Sequence, residues 1–352
     1  MLQDQFNRTV KYLRVSVTDR CDFRCVYCMA EEMVFVPREQ LLTLEELSEI
    51  TTAFVELGVN KVRITGGEPL VRRDIDQLFK NLGQLDGLDE LTLTTNGSQL
   101  PKYVDSLVES GVKRINISLD SLDKDLFKEL TRTGNLDHVL AGIDSAIDAG
   151  LHVKLNSVVL KNRNVGEVID LVDYAVSKKI DISFIEEMPL GAIAEHSRDE
   201  EFISSEELRN IIEAKYDLEK LDTDTSNAGP SKYWGVHIKD GAVSSSTAID
   251  STSTSTSTSS TATHSRVGFI SPHSDNFCST CNRVRLTATG QLLLCLGNEH
   301  SVDLKAVVRN YPNDSERLKQ TIIDSMMIKP ERHHFELSDE PEIIRFMNTT
   351  GG

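Results

Sequence analysis

Strict alternation of apolar and polar residues recurs along the first half of the chain. In "YLRVSVT", Leu13, Val15 and Val17 fall on one side and Tyr12, Arg14, Ser16 and Thr18 on the other, as in a half-buried strand. "KVRITGGEP" sets Val62 and Ile64 against Lys61, Arg63 and Thr65, and "ELTLTTNG" sets Leu91 and Leu93 against Thr92, Thr94 and Asn96. "KRINISLD", "HVKLNSVV" and "IDISFIEEMP" continue the series. Their polar sides carry Asn116, Ser118 and Asp120, then His152, Lys154 and Asn156, then Asp181 and Ser183. Helical periodicity fills the intervals, at 43–58, 73–85, 100–110, 123–149 and 164–178. The first helix opens on a capping box, Thr43 with Glu46, and stops at Gly58.

Strands alternating with helices predict an α/β fold, a parallel sheet curled into a partial (βα)6, TIM-like barrel. One face of each strand meets the helices. The other is polar on every strand, whereas a closed eight-stranded barrel fills its interior with branched apolar side chains. An antiparallel sheet with one wet face would alternate likewise, but the regular helical intervals argue against it. The expected lumen is thus a polar cavity at the carboxyl ends of the strands, where α/β proteins place their chemistry.

Patterning changes after residue 190, so the expected division is a barrel at 1–190 and an α+β extension at 191–352. "SSEELRNIIEAKY" starts a helix capped by Ser204 or Ser205. "SKYWGVHIKDG" and "RVGFISP" read as a hairpin whose loop is a Ser/Thr tract at about 244–265, too poor in apolar residues to order itself. A modified or partner-binding tract is the functional alternative.

The chain has 352 residues, 39% hydrophobic and 26% charged, an ordinary globular composition. No run approaches the ~18 apolar residues of a membrane span, and the N-terminus lacks a secretory apolar region. A cytoplasmic protein is expected. A net charge of −17 argues against a general nucleic-acid or anionic-membrane surface. It leaves room for one anion in a locally basic pocket. Arg14, Arg63 and Lys154 fall on lumen-facing positions, and buried cations need counter-charge. Internal carboxylates such as Asp120 could supply it. Three cations together in an acidic protein fit a polyphosphate better. Arg283 and Arg285, two apart on one strand face, add to the set.

The six cysteines form two trios, Cys21/Cys25/Cys28 and Cys278/Cys281/Cys295. Scattered core cysteines would not cluster so, and disulfides within a trio would leave one thiol over in a compartment that disfavours them. A structural zinc wants four ligands. The second trio has only His273 or His300 to offer as a fourth, at undistinguished spacing. Three thiolates suit a cubane iron–sulfur cluster that keeps one iron open.

"CDFRCVYC" resembles the signature of radical S-adenosylmethionine enzymes. With the second trio in "FCSTCNRVRLTATGQLLLCL" and the terminal "FMNTTGG", nearly the whole chain resembles the GTP 3′,8-cyclase (MoaA) family of molybdenum cofactor biosynthesis. The resemblance implies two [4Fe-4S] clusters, the first chelating S-adenosylmethionine through its open iron and the second meeting the guanine of GTP. It implies contacts to S-adenosylmethionine from Tyr27, Gly67, Ser118 and Met188. GTP contacts are implied for Thr94 and for the basic residues Arg14, Arg63, Lys154, Arg283 and Arg285. A catalytic role falls to the tail glycines Gly351 and Gly352, which otherwise read as a frayed end. The implied reaction is abstraction of hydrogen from C3′ of GTP by a 5′-deoxyadenosyl radical, addition to C8 and reduction to 3′,8-cyclo-7,8-dihydro-GTP. Implied partners are a low-potential, flavodoxin-like electron donor and a cyclic pyranopterin monophosphate synthase acting on the product. The sequence leaves monomer and homodimer both open. One departure is Ser183, where many relatives carry an arginine. Two alternatives stand beside this reading: a radical enzyme of the peptide-maturase kind, and a non-enzymatic protein with two zinc sites.

Overall fold

The computed structural model describes residues 1–193, 197–222, 229–239, 261–333, 335 and 343–351, with backbone alone at Thr261 and Ala262. The six expected strands are β1 (Tyr12–Ser16), β2 (Lys61–Thr65), β3 (Glu90–Thr95), β4 (Arg114–Ser118), β5 (His152–Val158) and β6 (Asp181–Ile185). They pair in parallel and in sequence order. The register sets like against like. Leu13 pairs with Val62 and Ile64 with Leu93, while Arg14 pairs with Arg63 and Ser118 with Asn156. A slip of one residue would turn the apolar set into the lumen, so burial itself fixes the register.

Between the strands run α1 (Leu44–Glu56), α2 (Ile75–Gly83), α3 (Leu100–Glu109), α4 (Lys124–Thr131), α5 (Leu136–Asp148) and α6 (Val168–Lys178). The capping box forms as expected, Thr43 Oγ1 accepting from the Glu46 amide while Glu46 accepts from the Thr43 amide. The apolar stretch at 123–149 is two helices, not one. Arg132 adopts a left-handed φ of 58° and Asn135 caps the second helix. Leu47, Ile50 and Phe54 of α1, and Val139 and Ile143 of α5, are buried with the apolar faces of β1–β6 in one continuous core. Each such side chain contributes roughly 1.5–3 kcal/mol relative to exposure.

The second half of the chain is built onto both ends of this sheet. After α7 (Arg198–Glu201) and α8 (Ser205–Glu213), which Ser204 caps, come β7 (Tyr216–Lys220), β8 (Lys232–Ile238) and β9 (Thr261–Ile270). β8 and β9 form the expected hairpin, Trp234 opposite Val267, and β9 lies parallel to β6. β10 (Arg283–Leu286) lies parallel to β1 at the other end, followed by antiparallel β11 (Gln291–Leu293) and β12 (Ser301–Asp303). The order is β12-β11-β10-β1-β2-β3-β4-β5-β6-β9-β8-β7, and the sheet stays open. Its parallel portion therefore holds eight strands where six were expected. Both edges of a six-stranded sheet would leave backbone groups unpaired, and β9 and β10 satisfy them. Helices α9 (Leu304–Asn310), α10 (Ser315–Met326) and α11 (Met347–Thr350) complete the described elements.

The Ser/Thr tract is shorter as a loop than its composition suggested. Thr261 to Ser265 belong to β9, with Thr263 Oγ1 donating to Val236 O and Ser265 Oγ to Ala175 O. Threonine favours strands, and these hydroxyls find backbone partners. The rest of the tract, 244–260, lies outside the described residues.

Candidate active site

A cavity of ≈ 290 Å³ runs along the polar faces of the central strands, and all six cysteines line it. The first trio sits on the loop leaving β1. That loop is pinned to the end of α4 by Arg24 N to Thr131 O and Val26 N to Leu130 O. Its neighbours are polar and partly acidic: Asp22 accepts from Asn96 Nδ2 and Ser98 Oγ, each at 2.6 Å. Burial raises all three thiols. Cys28 is pushed up to about 12, with the Asn348 amide pulling down and Asp120 pushing further up. Ligation by a metal cluster would hold them as thiolates, at the expense of their protons.

The second trio faces the same cavity from the other side. Cys278 opens a short turn, Cys281 leads into β10 and Cys295 follows β11. Burial raises Cys281, but Lys329 and Arg283 outweigh it and hold the thiol at about 7. Among the described residues no three His, Cys, Asp or Glu side chains converge as ligands of a single ion. A cubane places each thiolate on a different iron and needs no such convergence. Three free thiols at each of two places on one cavity fit two clusters, each with an iron left for another ligand.

Between the trios lies the basic stretch. Arg14, Arg63, Lys154, Arg283 and Arg285 all line the cavity, as does Thr94. Arg63 donates from Nε to Tyr12 Oη at 2.6 Å and from Nη1 to Thr94 Oγ1 at 3.2 Å. Burial lowers Arg14 to about 10, with Tyr12 opposing the shift and Arg63 and Arg283 adding to it. Arg285 is depressed further by burial and by Arg14 and Arg283. These cations repel one another in a poorly solvated lumen, and a polyanion would relieve them. Tyr12 answers part of the charge. Burial would raise its hydroxyl, yet Arg63, Arg14, Lys61 and Arg283 bring it down to about 7.

Asp120 is not the counter-charge of these cations. Its Oδ2 accepts from Tyr27 Oη at 2.7 Å and its Oδ1 from the Val158 amide. The close approach permitted by Gly66 and Gly67 is to backbone: a Cβ on Gly67 would stand 2.4 Å from Arg20 O, and one on Gly66 2.7 Å from Thr18 O. Tyr27, Gly67, Ser118 and Met188 line the cavity all the same. Lys154 Nζ donates to Ser183 Oγ at 2.9 Å and Tyr233 Oη at 3.2 Å, so hydroxyls surround the ammonium where an arginine was missing. Gly351, at φ 75°, packs on Thr65 and Ser16, and its carbonyl accepts from Arg285 Nη1 at 2.6 Å. Gly352 lies outside the described residues.

The polar face is not polar throughout. Val158 and Ile185 line the cavity at the ends of β5 and β6. Lining residues not singled out from sequence include Lys61, Arg114, Asn116, Asn156 and Tyr233. The first four shared the alternation that found Arg63 and Lys154; Lys61 and Arg114 both pair with Glu90. Tyr233 arrives from β8 with no local signal. His273, once a possible zinc ligand, bonds Glu187 O instead.

Residues 15–175 match the family described as the Radical SAM superfamily, and residues 180–335 the one described as Molybdenum Cofactor Synthesis C. Among solved structures, Streptococcus suis SuiB aligns with a TM-score of 0.57 at 18% identity, over 84% of this chain and 63% of that one; the likeness is one of fold. A protein of Saccharophagus degradans named GTP 3′,8-cyclase is 53% identical, across 100% of this chain and 98% of its own. One of Pseudomonas entomophila with the same name is 55% identical over the same shares. With two cysteine trios and a row of cations on one cavity, and with identity at this level from end to end, the chain belongs to the GTP 3′,8-cyclase family.

Proposed function

We infer that this chain converts GTP to 3′,8-cyclo-7,8-dihydro-GTP, the first step of molybdenum cofactor biosynthesis. The observation that carries the reading is the placing of two three-cysteine sites on one cavity with cations between them. Cys21, Cys25 and Cys28 would hold one [4Fe-4S] cluster, and Cys278, Cys281 and Cys295 the other. When bound, the first cluster with S-adenosylmethionine supplies the 5′-deoxyadenosyl radical.

The chain's own residues orient and enclose. Arg14, Arg63, Lys154, Arg283 and Arg285 would take the triphosphate, the arginines by two-point contacts and the lysine as a point charge. Thr94, already bonded to Arg63, would fix the nucleoside end. Gly67, Ser118, Met188 and Tyr27 would seat S-adenosylmethionine, Tyr27 being held by Asp120. Met347 and Asn348 of the tail line the cavity, Asn348 Nδ2 donating to Asp19 O at 2.8 Å, and Gly351 O accepts from Arg285. Gly351 and Gly352 would there exclude water beside the substrate. Residues 1–190 act as the radical-generating part and 191–352 as the part that adds the second cluster. A low-potential, flavodoxin-like donor would supply electrons and a cyclic pyranopterin monophosphate synthase would take the product. No helix of the described residues is long and apolar enough to cross a membrane, and we place the chain in the cytoplasm, where its six thiols would stay reduced.

Anaerobic purification with iron and sulfide quantification tests the reading. About eight irons per chain, from two cubane sites, and formation of the cyclic product from GTP are expected. Replacing Cys21, Cys25 and Cys28 by alanine should abolish S-adenosylmethionine cleavage and spare the second cluster's signal. Zinc without acid-labile sulfide would overturn it.

A further inference from the structure

The two cysteine trios differ in what lies against their sulfurs. Beside the first, Cys21 Sγ is 3.9 Å from Asp22 Oδ1, buried Glu68 and Asp120 stand close by, and Arg24 Nη1 donates to Cys21 O at 2.6 Å. Beside the second are cations. Lys329 is 1% exposed, and its Nζ lies 2.5 Å from Leu294 O and 3.8 Å from Cys281 Sγ. Arg8 Nη1 donates to Cys278 O at 2.9 Å and to Glu331 O, its Nη2 reaches Pro330 O, and its Nε pairs with buried Asp4 at 2.7 Å. The segment 329–331 is thus tied twice to the second trio.

An ammonium has three donors. Those of Lys329 reach one carbonyl and one sulfur, and among the described residues no carboxylate pairs with it. A buried ammonium so placed is costly without counter-charge. Three thiolates on a cubane supply it, since the cluster with its ligands is anionic and gains a further negative charge on reduction. Outer partners of metal ligands commonly fix ligand orientation and tune the site.

We propose that Lys329 is a positioning residue for the second cluster: it fixes Cys295 through Leu294 O and stabilises the reduced cluster through Cys281. The second site is then reduced more easily than it would be without that ammonium. The step is uptake of one electron from a low-potential donor, with no bond made or broken. The inference rests on the two-cluster reading above.

The test compares the anaerobic full-length protein with Lys329→Met and Lys329→Arg, by iron content and by spectroscopic redox titration. Signals are assigned with the variant lacking the first trio. Lys329→Met should shift the second reduction equilibrium at least tenfold, about 59 mV lower for one electron, or lose the second cluster's irons. The first cluster should keep its iron and potential. Lys329→Arg should stay near the parent. If Lys329→Met keeps full iron and titrates like the parent, or if Lys329→Arg is as defective as Lys329→Met, the proposal is wrong. A parent without labile sulfide would instead overturn the functional reading.

Discussion

Gly67 shows how a single missing side chain can set a site. Its amide donates to Thr18 O at 2.7 Å. The three atoms nearest to an added Cβ are Arg20 O, Arg20 C and Asp19 O, all backbone and all within 2.8 Å. No rotamer change can relieve such contacts, so Gly67→Ala must displace the segment that leads into Cys21. We expect a loss of about 1–3 kcal/mol of stability, the usual cost of overpacking, with weaker S-adenosylmethionine binding and less iron at the first trio. Thermal melting with iron analysis would check this; an alanine variant with parental melting and binding would show that the loop yields. At this scale the sequence was most readable where spacing or alternation carried the signal, as for the cysteines and for Arg14, Arg63, Arg283 and Arg285. It was least readable where a distant segment delivers the residue. Lys329 after α10 reaches Cys281, and Tyr233 on β8 reaches the cavity, through tertiary packing that no local pattern records.

β10 shows the same division among elements. Its alternation puts Arg283 and Arg285 on the cavity side and Val284 and Leu286 in the core, and it pairs with β1 so that Arg285 stands beside Arg14. On that placement we propose both arginines for the substrate's anionic end. Replacing both by alanine removes charge-assisted contacts of about 1.5–3 kcal/mol each. GTP affinity should fall roughly a hundredfold to ten-thousandfold, while about eight irons remain, as two cubane sites require. Lysines should rescue in part, through charge without two-point geometry. Parental GTP affinity in the double alanine variant would remove the pair from the substrate site. Element boundaries were harder to read than element types. The break at Arg132–Asn135 was missed although "TRTGN" carries no apolar residue and ends in the Gly134–Asn135 turn and capping signal. The start of β9 was missed because a Ser/Thr-rich segment looks like a loop until its hydroxyls meet the backbone of β8 and α6.

For the whole molecule, the direction of β9 decides what the Ser/Thr tract can affect. β9 runs parallel to β6 and pairs with it from Val267 to Ile270, the end at which Ile270 lines the cavity. Thr261 lies nine residues back along the strand, opposite Ile238 of β8. At ~3.3 Å per residue that is about 30 Å from the cavity end. The tract therefore joins the sheet far from the cysteine sites, on a hairpin whose register both strands already define. Replacing residues 239–260 by Asn-Gly, which favours a two-residue hairpin turn, should leave iron content and cyclisation unchanged. Shortening the loop lowers its closure entropy, so stability should rise by about 1–2 kcal/mol. The cut spares Thr261 to Ser265, which composition alone would have assigned to the loop and whose removal would take strand from β9. Denaturant melts, iron analysis and product formation from GTP are the measurements. Lost cyclisation with both clusters intact would mean that the tract reaches the active site, and lost folding would mean that it supports the sheet.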